Sequence, residues 1–114
     1  MSADRMRRVN EAVREVLSDA IKLLKDPRVG FVTVTDVRTS PDLRHAKVFV
    51  SVLGSPDERA ATMEGLASAH GVLQTAVNSE LRMKRTPTLV FVYDDTAERA
   101  DRMERMLAEL ERER

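Results

Sequence analysis

The chain has 114 residues with 19 basic and 19 acidic side chains, and its formal net charge is zero. Hydrophobic residues make up 42% and charged residues 33%, a balance typical of one globular domain and not of a disordered chain. The absence of cysteine excludes disulfides and thiolate metal sites. Because no apolar run approaches the roughly 18 residues of a membrane span and the first residues lack the apolar segment of a signal peptide, we expect a cytoplasmic protein.

Charge is distributed unevenly along the chain. Residues 1–30 carry seven basic and five acidic side chains, whereas residues 88–114 carry five arginines and eight acidic side chains. Residues 88–114 are therefore net −3 and residues 1–87 net +3. Two interpretations stay open, an ordinary solvated surface and a bipolar protein with one phosphate-binding face, and charge alone favours the first.

The hydrophobic pattern predicts a first helix over residues 3–25, because apolar side chains recur there every three or four positions. Ser2 or Asp4 can cap its N-terminus. Asp26-Pro27 ends it, because the residue before a proline avoids the helical region.

Two β-branched, alternating segments over residues 31–39 and 46–53 predict strands joined by a turn at residues 40–42, which makes an antiparallel hairpin. The alternation changes phase near Asp36, which predicts a β-bulge. A third strand over residues 89–93 is apolar at every position, so we expect it to be central or covered.

A long helix is predicted from Ser55 to about Met83. Ser55, Pro56 and Glu58 are typical of a helix start with a capping box. The apolar positions keep their phase across Gly71, so the helix is expected to pass through this residue. Because glycine costs about 1 kcal/mol relative to alanine inside a helix, Gly71 indicates a bend, with His70 on its outer surface.

A last helix after Asp94-Asp95 has a narrow apolar seam and is otherwise charged, so we expect it to dock loosely. We divide the chain into a domain over residues 1–94 and a charged C-terminal helix over residues 95–114. Strands with helices on one face predict a two-layer α+β domain.

Catalytic and metal-binding motifs have little support in this sequence. His45 and His70 lack the partners of a zinc site, and no nucleotide-binding or serine-hydrolase motif is present. Asp94 and Asp95 are better explained as helix caps than as paired catalytic carboxylates. We therefore expect a protein that is not an enzyme and has no cofactor.

The predicted order of helix, strand, strand, helix, helix and strand is that of KH-type nucleic-acid-binding domains. Those domains hold a nucleic-acid backbone with a Gly-x-x-Gly loop between two helices. No two of the four glycines in this chain lie three positions apart. Ala69-His70-Gly71 stands where that loop would lie.

The sequence resembles the ribosome-binding factor A family over about residues 5–110. The segments that carry the resemblance are Arg5-x-x-Arg8-Val9, Asp26-Pro27-Arg28, Ser40-x-Asp42-Leu43-x-x-Ala46-Lys47-Val48-Phe49-Val50-Ser51, Ala69-x-Gly71 and Arg82-x-Lys84-x-x-Pro87-x-Leu89-x-Phe91-x-Tyr93-Asp94. The chain departs from the family at Gln74, where members often have arginine, and it ends before the longer polar tail that many members carry.

The resemblance implies a two-layer KH-like (type II) domain in which an Ala-x-Gly kink replaces the Gly-x-x-Gly loop. It implies binding to free 30S subunits and 16S ribosomal RNA, a non-catalytic role in late 30S maturation, rRNA processing and growth in the cold, and a monomer. The RNA-binding residues implied by analogy are Arg5, Arg8, Lys47, Ala69, His70, Gly71, Arg82 and Lys84. Two alternatives stay open, a generic KH-like RNA-binding module and a protein-interaction or dimerisation domain.

Overall fold

The computed structural model describes residues 3–113. Its elements in chain order are α1 (Ala3–Lys22), β1 (Val32–Thr39), β2 (His45–Val52), α2 (Pro56–Ser68), α3 (His70–Leu81), β3 (Thr88–Tyr93) and α4 (Thr96–Arg112). The predicted α+β order is confirmed, and the long bent helix is two helices that meet at Ala69. Of the two predicted caps for α1, Asp4 lies inside the helix and Ser2 lies outside the described residues.

The three strands form one sheet in the order β1-β2-β3. β1 and β2 make the predicted antiparallel hairpin, and their register shifts between Val34 and Asp36, which confirms the predicted bulge. β3 pairs with β2 in parallel. The sequence predicts that β3 is central or covered. The strand is not central, because β2 uses both of its edges for pairing and leaves β3 at the side of the sheet, and it is not covered on both faces, because Val90 is 41% exposed.

The core lies between one face of the sheet and the helices, which confirms the two-layer architecture. α1 packs on β1 and against α3. The buried apolar side chains that fill this space are Val9, Val13, Leu17, Ile21, Val34, Val37, Ala46, Val48, Val50, Leu66, Leu73, Val77 and Leu89. Alternate residues of β2 point away from this core, so the second face of the sheet remains exposed at Lys47.

The two glycines near the bend have opposite surroundings. A Cβ atom placed on Gly65 would lie 2.7 Å from Val29 Cγ2, whereas a Cβ on Gly71 would meet nothing within 4 Å. The bend itself is at Ala69, whose backbone angles of −86° and 5° are open to any residue. The prediction that Gly71 forms the bend is therefore wrong, because the turn needs no glycine conformation.

This contrast gives alanine substitutions at the two glycines opposite effects on stability. We expect Gly71→Ala to raise the free energy of unfolding by up to about 1 kcal/mol, because alanine is the better helix former and its methyl group has free space. We expect Gly65→Ala to lower it by about 1–3 kcal/mol, because the added methyl group overpacks against Val29. Urea unfolding measures both, and a Gly65→Ala protein more stable than Gly71→Ala would contradict the packing described.

Two polar clusters fix the start of α4. Arg59 Nη1 of α2 donates to Tyr93 Oη at 3.0 Å and to Glu98 Oε1 at 3.1 Å, and its guanidinium lies 5.2 Å from the Tyr93 ring centre. On the other side, Asp94 accepts hydrogen bonds from Thr96 and Thr35. α4 itself has no buried residue among those described, so these clusters, and not a hydrophobic contact, hold it at its base.

The Asp94 carboxylate makes stability depend on pH. Hydrogen bonds from Thr96 and Thr35 lower the pKa of Asp94 to about 2 from a usual value of 3.8. Because the folded pKa is the lower one, the ionised carboxylate stabilises the fold above pH 3.8, and this contribution is lost as the pH falls toward 2.

We therefore expect Asp94→Asn to destabilise the protein most near neutral pH and progressively less in acid. Urea unfolding of wild type and variant from about pH 6 to about pH 2.5 measures the difference. Asp19→Asn, at an exposed position on α1, is the matched control. A stability difference that stayed constant over this range would contradict the assigned role of the carboxylate.

Candidate nucleic-acid interface

The bend between α2 and α3 occupies a single residue. Ala69 N donates to Gly65 O at 3.0 Å, and Leu73 N donates to Ala69 O at 3.0 Å, so the helical hydrogen bonding continues on both sides. Ala69 is the N-cap residue of α3 and contributes no side-chain hydrogen bond. Ala69, His70 and Gly71 therefore form the junction at which α2 ends and α3 begins.

Side chains of α3 hold the bend against the outer edge of β3. Gln74 Nε2 donates to Pro87 O at 2.9 Å, and Gln74 Oε1 accepts from Leu89 N at the same distance. His70 Nε2 lies 2.8 Å from Leu89 O and donates to it, because a carbonyl only accepts. The amide of Gln74 thus pairs with the strand edge as a further strand would, and it covers backbone groups that would otherwise be open.

His70 is more enclosed than the sequence indicated. Its ring is half-buried and meets the Phe91 ring edge-on, with the centroids 6.4 Å apart at 86°. The prediction of a surface residue on the outside of the bend is therefore wrong, because one ring nitrogen and one ring edge already contact β3. His70 therefore holds the bend against β3, and only the rest of its ring is open to a ligand.

The outer surface of the bend is formed by Gly71 and Val72. Gly71 is exposed, and Val72 is 65% exposed although it is apolar. Gly71 has no Cβ, and apart from its chain neighbours and the backbone of its own helix no atom lies within 4 Å of that position, so another molecule can approach the backbone of α3 closely here.

The structure brings some of the predicted basic residues together. Arg8 and Met83 line one groove between α1 and the end of α3, and Arg82 and Lys84 flank Met83 in the chain. Arg5 is exposed one turn earlier on α1. These residues are separated from the bend by the length of α3, about 18 Å for twelve residues. We call Arg5, Arg8, Arg82 and Lys84 the basic cluster; it lies toward the other end of α3 from the bend, and the groove that Arg8 lines also contains Glu15 and Glu80.

Lys47 lies apart from both groups. It alternates with Ala46 and Val48, which are buried under the helices, so its side chain is on the opposite face of the sheet. Next to it on that face, the Phe49 ring is covered by the Arg38 guanidinium at 5.3 Å. The eight predicted site residues therefore occupy three separate surfaces.

The structure adds Arg28 to the candidate residues. Its guanidinium donates to Ser68 Oγ at 3.1 Å, which places it beside the bend from a distant part of the chain. Asp26 accepts from the same guanidinium at 2.6 Å, and this pairing lowers the pKa of Asp26 to about 2. Sequence reasoning used Asp26-Pro27-Arg28 only as a helix end. The forty-residue separation between Arg28 and Ser68 gave no local signal of their contact.

Among residues 3–113, no group of three or more acidic or histidine side chains is placed to hold a metal ion. No helix within the described part of the chain is both long and apolar enough to cross a membrane.

Removal of the Gln74 side chain tests how firmly the bend is held. We expect Gln74→Ala to lower the free energy of unfolding by about 1–3 kcal/mol, because it leaves backbone groups at Pro87 and Leu89 without their partner. Urea unfolding measures this loss. Ser79→Ala, at an exposed position further along α3, is the control, and an equal loss in both variants would contradict a specific role for Gln74 at the strand edge.

Comparison with known proteins places the chain in a family. Residues 5–107 match the model of the family described as "Ribosome-binding factor A". The ribosome-binding factor A of Halothermothrix orenii is 44% identical over 114 residues, which cover 99% of this chain and 93% of the relative.

Solved structures give the same result. The crystal structure of ribosome-binding factor A from Thermus thermophilus matches with a TM-score of 0.70 and 27% identity, over 77% of this chain and 93% of that one. A homology model of the Thermus thermophilus factor, fitted into a cryo-EM map of its complex with the 30S subunit, matches with a TM-score of 0.63 and 28% identity, over 75% and 90%. The KH-like fold and the sequence agree, and this chain belongs to the ribosome-binding factor A family.

Proposed function

We propose that this protein binds the 30S ribosomal subunit through 16S ribosomal RNA and assists late subunit maturation and rRNA processing without catalysis. It acts in the cytoplasm as a monomer. Residues 1–94 form the RNA-binding domain, and residues 95–114 form a charged C-terminal helix that docks on this domain or extends from it.

The observation that carries this proposal is the open backbone at the bend. Gly71 is exposed on the first turn of α3, and no atom other than its chain neighbours and the backbone of its own helix lies within 4 Å of its Cβ position. A phosphate group can therefore approach the backbone at the N-terminus of α3 without meeting a side chain at Gly71. His70 and Gln74 support this geometry from behind by their bonds to β3.

The basic cluster supports the same function. Arg8, Arg82 and Lys84 are all exposed, and Arg5 is exposed on the same helix as Arg8. Cations on a surface of this kind bind phosphates with little base preference and with steep salt dependence. The Arg38 guanidinium covers the Phe49 ring, so we do not expect bases to stack on this ring. The proposed mode of binding depends on phosphate contacts instead.

The relatives support the choice of partner. The Thermus thermophilus factor was fitted into a map of a complex with the 30S subunit, and this chain shares its fold at 28% identity. We extend that partner to this chain, with Ala69, Gly71, Arg5, Arg8, Arg82 and Lys84 as the proposed contacts. Lys47 is a proposed contact only for RNA that reaches the other face of the sheet, and His70 is a positioning residue.

Co-sedimentation with purified subunits tests this proposal. We expect the protein to move with free small subunits in a sucrose gradient, and we expect binding to weaken by orders of magnitude between about 50 mM and about 200 mM salt. A protein that stays at the top of the gradient at low salt would overturn the proposal. Retention that does not depend on salt would favour an apolar protein contact instead.

A bulky residue at the bend should block binding without unfolding the protein. We expect Gly71→Leu to fold, because its side chain has free space, and to lose most of its affinity for small subunits. Ala60→Leu is the matched control, because it is exposed on α2 about three turns before the bend. If Gly71→Leu folds and binds subunits as tightly as Ala60→Leu, the bend is not the contact surface.

A further inference from the structure

Exposed apolar side chains gather at the end of the molecule from which α4 leaves. Phe31 and Leu53 are 81% and 77% exposed, and they are neighbours, because Leu53 N donates to Phe31 O at 3.1 Å. β2 and β3 run parallel, and Asp94 N donates to Val50 O, so α4 begins at this same end of the sheet. His70, at the bend, instead contacts the start of β3 at Leu89.

α4 carries a second exposed apolar surface. Its large apolar residues have the spacing i, i+3, i+4 and i+7, and each is 54–60% exposed: Met103, Met106, Leu107 and Leu110. In proteins most of the stability of a helix comes from packing of its apolar face, and α4 has no buried residue among those described. We call Phe31, Leu53 and these four residues the apolar end.

The start of α4 is fixed relative to the hairpin. Thr35 of β1 donates to Asp94 at 2.7 Å, and Arg59 of α2 bonds both Tyr93 and Glu98. The apolar residues of α4 therefore extend from a start that is held to the hairpin and to α2.

The charge of α4 and of the residues next to it indicates which kind of partner can bind the apolar end. Residues 94–113 carry eight acidic side chains and four arginines, a net charge of −4. Two of those arginines are already paired on the helix, Arg99 with Asp95 and Arg105 with Asp101. RNA is disfavoured by this charge, and a second copy would bring two acidic helices together. A cationic protein segment with apolar side chains is complementary in both charge and polarity.

We propose that the apolar end is a docking surface for a basic protein of the small subunit, distinct from the RNA-binding bend. This inference rests on the proposed function, because it takes the subunit as the source of the partner. One molecule would then hold RNA at the bend and a protein at the end of the sheet from which α4 leaves.

Two double variants test the proposal: Phe31→Ser with Leu53→Ser, and Met103→Ser with Leu107→Ser. We expect each to lose about tenfold or more in affinity for intact small subunits, because exposed apolar anchors dominate such contacts, and to bind protein-free 16S rRNA as the wild type does. Leu23→Ser, at a position 78% exposed outside the apolar end, should leave both affinities unchanged. The Phe31→Ser, Leu53→Ser variant does not alter α4. If the Met103→Ser, Leu107→Ser variant unfolds, the first variant still tests the docking surface.

Each of the other results would lead to a different conclusion about the apolar end. Unchanged subunit affinity in both folded variants overturns the docking surface and leaves the proposed function intact. An equal loss for subunits and for protein-free rRNA makes the surface an RNA contact, which overturns the protein docking surface. A wild-type dimer in analytical ultracentrifugation that the variants abolish assigns it to a second copy instead. Wild-type protein that binds neither probe overturns the proposed function, and the docking surface falls with it.

Discussion

The geometry of the bend depends on hydrogen bonds between α3 side chains and the outer edge of β3. Gln74 satisfies Pro87 O and Leu89 N together, and His70 satisfies Leu89 O. An edge strand with open backbone groups attracts other strands, and here the helix that follows the bend covers part of that edge. The same contacts that protect β3 fix the direction in which α3 leaves Ala69. Fold stability and the shape of the candidate RNA surface are therefore set by one group of bonds.

The two ends of the molecule differ in chemistry. The bend exposes Gly71 and the basic cluster lies near the other end of α3, whereas the end of the sheet from which α4 leaves presents exposed apolar side chains on an acidic background. The zero net charge of the whole chain conceals this division. Because recognition depends on local charge and polarity, a neutral protein can present one surface suited to phosphate and another suited to a basic protein.

Gly65 and Gly71 show how similar residues in one helical segment serve different purposes. Gly65 lets Val29 pack against α2, which anchors the loop that carries Arg28 beside the bend. No other part of the chain packs at the Cβ position of Gly71, so its lack of a side chain leaves room for a molecule that binds from outside. Helical propensity disfavours both positions equally, and their distinct roles follow from what lies next to each.

Local periodicity, turn residues and caps are enough to predict the element order, the Ser55 capping box, the hairpin and its bulge. The short motifs that carry the family resemblance can likewise be read directly from the chain. The folded structure was needed to show that β3 is an edge strand, that His70 is held against Phe91, and that Arg28 reaches Ser68. These features depend on contacts between distant segments, and local patterns do not encode which segments meet. Tertiary packing alone also revealed that Phe31 and Leu53 stay exposed at the end from which α4 leaves.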